Sequence, residues 1–119
     1  MIEGLVRMLW TDLVSISELI DESEMRQHRD PVAITWGRLA KVAEESGEVI
    51  AAYIGVIGQN PRKGRTHTDD DVKRELLDVA LTALAAYEHM DGHRYNAIID
   101  LGEHTRVTLA RLKGGSHDA

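Results

Sequence analysis

The chain has 119 residues, with 14 Lys and Arg against 20 Asp and Glu. That length fits one domain and leaves no room for a second independent core. Apolar residues at 43% and charged residues at 29% exclude a disordered or fibrous class. A net charge of −6 argues against a nucleic-acid backbone as the main partner, because phosphate binding wants a concentrated positive face. With no cysteine, disulfide scaffolds, thiolate nucleophiles and Cys-based zinc sites are excluded.

Glu3, Arg7 and Asp12 interrupt the apolar residues near the start, so this stretch reads poorly as a signal peptide. No apolar run approaches the roughly 20 residues of a membrane span. The expectation is a soluble, cytoplasmic protein of one helical domain over residues 1–113, with a flexible tail at 114–119. A core this small invites burial between chains.

Four amphipathic segments follow one another. The first runs from about Ile2 to Ser23, with Leu5, Met8, Leu9, Leu13, Ile16, Leu19 and Ile20 on one helical face. Asp30-Pro31 opens the second, Asp as the cap and Pro at the first helical position. It runs to about Ile57, with Leu39, Val42, Ala43, Val49, Ile50, Tyr53 and Ile57 as its stripe, and Gly58 stops it. A basic loop with Arg62, Lys63 and Arg65 follows. Thr68 with Asp71 is an N-cap signature for the third helix. That helix extends to about Met90 and has Val72, Leu76, Val79, Ala80, Ala83, Leu84, Tyr87 and Met90 as its core face. The fourth runs from about Arg94 to Leu112 through Ile98, Leu101, Thr105 and Leu109. No segment alternates as a strand would. The default architecture is an all-α antiparallel four-helix bundle.

Two helices carry carboxylates at one-turn spacing: Glu44, Glu45 and Glu48 on the second, Glu75 and Asp78 on the third. Glu45 and Glu48 project together, as do Glu75 and Asp78, on the flanks of their apolar stripes. If the helices pack antiparallel, four carboxylates converge. Two like charges about 4 Å apart repel by roughly 4 kcal/mol at an effective dielectric of 20. Such a group therefore takes up protons or a cation, and an all-oxygen set suits Mg²⁺ or Mn²⁺. Mg²⁺ commonly bridges to substrate phosphates, which makes phosphate chemistry the expectation for this cluster. A helical di-iron site is set aside because none of the six histidines stands three residues after a Glu. Lys63-Gly64 reverses the order of a P-loop, and no nucleophile elbow is present.

Glu-Glu-x-x-Glu, 26 intervening residues and Glu-x-x-Asp on consecutive helices resemble the MazG-like group of all-α nucleoside triphosphate pyrophosphohydrolases. Lys41, four residues before Glu45, matches a lysine often found there. The loop Gly58-Gln-Asn-Pro-Arg-Lys-Gly64 is similar to that of short, stand-alone actinobacterial and phage members. The resemblance implies Mg²⁺-dependent cleavage of a nucleoside triphosphate between the α and β phosphates, by a homodimer or homotetramer. It also implies that Glu45, Glu48, Glu75 and Asp78 are metal ligands and that Lys41 contacts phosphate. Glu44 is then the extra carboxylate, either a base, an outer-shell group or simply exposed. The loop charges Arg62, Lys63 and Arg65 would guide the polyphosphate against the −6 background. Two alternatives stay open: a phosphoribosyl-ATP pyrophosphohydrolase of the same superfamily, and a non-catalytic acidic interaction module.

Trp10, Trp36, Tyr53 and Tyr87 read as packing or interface residues. None of the histidines reads as a ligand; His67, beside the start of the third helix, is the one to watch.

Overall fold

The computed structural model describes residues 1–114, and among them every regular element is helical. α1 spans Ile2–Arg26, α2 Pro31–Ile57, α3 Asp69–Met90 and α4 Ala97–Gly114. The protein is an all-α four-helix bundle. The sequence places the end of α1 at Ser23, on polarity alone. No Gly or Pro interrupts the next three residues, so the helix continues to Arg26. α4 in turn starts at Ala97 rather than Arg94, because His93 (φ 59°) and Tyr95 (φ 66°) hold left-handed backbone that a helix cannot continue through. Gly114 belongs to α4; the rest of the expected flexible tail, 115–119, lies outside the described residues.

The expected caps are in place. Asp30 accepts from the Ala33 amide at 3.0 Å with Pro31 at the first position. Thr68 and Asp71 form a complete capping box. α2 ends where Gly58 takes a left-handed φ of 64° and donates to the Ile54 carbonyl. A closer approach occurs at Gly55. A Cβ there would lie 2.1 Å from the His67 ring, so only glycine lets the returning loop lie on α2 and donate from Thr66 N to the Gly55 carbonyl.

α2 and α3 form the main antiparallel pair, in a register that sets Thr35 against His89 near one end and Gly55 against His67 at the other. α1 runs beside α3 in the same direction, with Ser17 level with Ala85 and Asp21 level with His89. Leu13 and Val14 of α1, Ile34 and Ala52 of α2, Ala85 and Ala86 of α3 and Ala97 of α4 are the buried apolar residues, with α3 in contact with each of the other helices. α4 touches α3 only over its first turns and then projects away, leaving Val107, Leu109 and Leu112 exposed.

Many positions expected inside are therefore open in the single chain. Leu5, Met8, Leu9, Leu19 and Ile20 of α1 are exposed, as are Leu76, Tyr87 and Met90 of α3 and Leu101 of α4. On α2 the reason is visible: the helix has two apolar stripes. Ile34, Val42, Val49, Ala52 and Val56 face the bundle, while Trp36, Leu39, Ile50, Tyr53 and Ile57 face outward. Helical periodicity cannot tell which stripe a neighbour in the same chain covers. The radius of gyration is 17.7 Å, against about 13.5 Å for a compact chain of this length. The accessible surface is 9011 Å², against roughly 6,500 Å² for a folded monomer of this mass. Among the described residues, no helix is long and apolar enough to cross a membrane.

Candidate functional site

The antiparallel pairing of α2 with α3 brings the two acidic motifs to the same level. Carboxylate oxygens of Glu45, Glu75 and Asp78 all lie within 4.8 Å of one another. Glu45 and Glu75 are half-buried, whereas Asp78 is exposed at the rim. Glu45 belongs to the face of α2 that packs on α3, between Val42 and Val49, so the helix register itself aims it at the partner. Glu48, one turn further on, is exposed and stands outside the trio.

Lys41 reaches along α2 to the same place. Its Nζ lies 3.2 Å from Glu44 and 3.4 Å from Glu45. The hydrogen bond and charge of Glu44, then the hydrogen bond of Glu45, hold the ammonium above its ordinary 10.5. Glu44 itself is exposed and makes its contact through Lys41. One turn toward the α2 N-terminus, a 180 Å³ groove between α1, α2 and α3 is lined by Ile16, Ile20, Leu81 and Ala85, with Lys41 at its edge.

Arg62 and Lys63 lie on an exposed loop, where the Arg62 amide bonds Asn60 Oδ1 at 3.1 Å. At a rise of ~1.5 Å per residue, the start of α3 is already roughly 10 Å beyond Glu75. Within one chain the loop and the trio are thus at different levels of the α2–α3 pair. His67 is held in that loop by Gly55 and Thr66, away from the carboxylates. No family model, curated protein or solved structure matches the chain.

A second polar cluster, at the other end of the bundle, has no counterpart in the sequence reading. Arg38, only 6% exposed, donates to Asp21 Oδ1 at 2.8 Å and to Ser17 Oγ at 2.9 Å. Ser17 donates to the Ala85 carbonyl. His89 Nδ1 is 2.6 Å from Asp21 Oδ2, and Thr35 Oγ1 is 2.8 Å from the opposite nitrogen. Nearby, the fully buried Glu88 accepts from the Tyr95 and Ala97 amides at 3.1 and 2.8 Å, which fixes the start of α4. The four-residue steps Ser17–Asp21 and His89–His93 are the available sequence signals. Their convergence depends on α1 lying beside α3, which no local pattern specifies.

The aromatic residues divide. Trp10 is half-buried and donates its indole N–H to the Tyr95 carbonyl. Trp36, 70% exposed, lines an outward groove with Pro31, Val32 and Leu39. Tyr53 and Tyr87 are exposed rather than core, and the Tyr87 hydroxyl donates to Asp100.

Proposed function

We propose that this protein is a Mg²⁺-dependent nucleoside triphosphate pyrophosphohydrolase of the MazG-like kind, acting as a homo-oligomer. The observation that carries this reading is the convergence of Glu45, Glu75 and Asp78 from two helices onto one spot. The donor set fits the ion: it is all oxygen, and a half-open rim leaves room for the waters and phosphate oxygens that Mg²⁺ retains. Glu45, Glu75 and Asp78 would hold it, and Glu48, exposed one turn further along α2, stands outside this set. Bound there, the ion would neutralise the polyphosphate and polarise a water for attack at the α phosphorus.

The chain's own residues supply the rest. Lys41, already shared between two carboxylates, exchanges them for phosphate oxygens and offsets charge as pyrophosphate leaves. Glu44, exposed and paired with Lys41, becomes available to take a proton from water once Lys41 turns to phosphate. The outward stripe of α2 supports the oligomer: apolar side chains at steps of three and four, with Ala43, Ser46 and Gly47 between them, allow two helices to approach closely.

A panel of normal and modified triphosphates should yield pyrophosphate with Mg²⁺ or Mn²⁺. Outer-shell partners of metal ligands are worth about 10–100-fold, so removing a ligand in Glu75→Gln or Asp78→Asn should cost at least about 100-fold in turnover. Millimolar Mg²⁺ should raise the melting temperature of the native chain and not that of either variant. Absence of turnover across the panel would favour a non-catalytic acidic module, and full activity in both variants would remove the trio from the reaction.

A further inference from the structure

We propose that Asp21, His89 and His93 form a second cation site, for a borderline divalent transition metal of the Zn²⁺ class, separate from the carboxylate trio. One ligand atom from each residue lies within 4.8 Å of the other two. The site differs in chemistry from the first. Two imidazoles and one carboxylate prefer Zn²⁺ and its first-row neighbours over Mg²⁺, which takes oxygen and keeps its water.

The geometry is close to what such an ion needs. Bonds of about 2.0–2.1 Å in a tetrahedral arrangement put donor atoms roughly 3.3 Å apart. Asp21 Oδ2 to His93 Nε2 is 3.4 Å already. Asp21 Oδ2 to His89 Nδ1 is 2.6 Å, a hydrogen bond that widens by roughly 0.7 Å when an ion replaces its proton. Arg38 grips Asp21 through Oδ1 and thereby turns Oδ2 toward both histidines.

The protons have somewhere to go. Ser17 commits its own hydrogen to the Ala85 carbonyl and accepts from Arg38, so it faces His93 Nε2 as an acceptor at 2.9 Å. In the metal-free chain, Asp21 Oδ2 and Ser17 Oγ therefore draw the imidazole N–H groups toward one point. On metal binding the His89 proton moves to its other nitrogen, where Thr35 Oγ1 waits at 2.8 Å, and the His93 proton moves from Nε2 to Nδ1. A hydrogen bond on the far nitrogen is the usual means of orienting a metal-bound histidine. His93 is aimed here by a left-handed backbone, φ 59°, that a non-glycine residue adopts at a cost.

Access agrees with this assignment, and Asp21 shares its charge with Arg38 through Oδ1 while Oδ2 stays directed at the histidines. Asp21, His89 and His93 all line a partly open 380 Å³ cavity together with Met25, Arg29 and Ile34, which gives the ion a route in and a place for a fourth ligand. Arg29 at its rim is paired with Glu24 at 2.5 Å.

The test is a Co²⁺ titration of the full chain with excess Mg²⁺ present to occupy the carboxylate trio. One equivalent should produce the intense visible absorption of four-coordinate Co²⁺, and Zn²⁺ should displace it. His89→Gln and His93→Gln should weaken Co²⁺ binding by at least about tenfold, while Glu75→Gln leaves it unchanged. Because a histidine variant can lose its fold, the native chain supplies a second readout: the ring ¹⁵N resonances of His89 and His93 should shift on Zn²⁺ addition. Only weak octahedral absorption, unmoved histidine resonances, or loss of the signal in Glu75→Gln would each overturn the site. None of these outcomes depends on hydrolysis, so the proposed activity stands or falls separately.

Discussion

Glu88 fastens α4 to the bundle, and removing its carboxylate should cost more than any surface change. Its side chain is fully buried, and its two oxygens accept separately from the Tyr95 and Ala97 amides. A hydrogen bond contributes about 0.5–1.5 kcal/mol net, and Glu88→Ala also leaves two donors without an acceptor in a dry place, at about 1–3 kcal/mol each. The expected loss is about 3–5 kcal/mol, a large part of a total stability of about 5–15 kcal/mol. Glu88→Gln keeps the volume but only one acceptor oxygen, so it should lose about half as much. Urea unfolding gives the totals. Hydrogen exchange locates the effect, because α4 has few other contacts with α3. The amides of Tyr95, Ala97 and the following turns should exchange faster than those of α3 in both variants. A Glu88→Ala chain within about 1 kcal/mol of the parent, with α4 protection intact, would show that Glu88 does not anchor α4.

Two further outcomes follow from the same structure. The outward stripe of α2 should mediate self-association. Burying one isoleucine is worth about 1.5–3 kcal/mol, so Ile50→Asp should weaken it by about 10–100-fold per chain, as read by light scattering or sedimentation; a native chain that stays monomeric at high concentration would discard the stripe as an interface. The capping box gives a pH test. The Thr68 backbone N–H, above all, holds the Asp71 carboxyl below its ordinary 3.8. A lowered folded value means stability that is complete above about 3.8 and lost as pH falls through the folded value. The advantage of the native chain over Asp71→Asn should thus be constant near neutrality and shrink in acid; an advantage that persists unchanged to the lowest pH would show that the cap is not the source.

What the sequence determined by itself is local. Asp30-Pro31, Gly58 and the Thr68/Asp71 box set helix ends within a residue or so, since each satisfies orphan backbone groups next to itself in the chain. The carboxylate spacing was legible for the same reason. Once α2 and α3 pair antiparallel, with the returning loop laid on α2 at Gly55, Glu45 meets the level of Glu75 and Asp78. Glu48 was harder, because whether a residue at the edge of a stripe turns inward depends on a small rotation of the whole helix.

Tertiary structure alone decided the rest. Asp21 meets His89 and His93 only because α1 runs alongside α3, and Glu88 finds its partners only because the turn after it doubles back. These contacts join residues 68 or more apart, or reverse the chain through left-handed backbone. Which of α2's two stripes lies inside the chain was likewise settled by packing. A helix presents both with the same period, and the choice belongs to the neighbours that cover them.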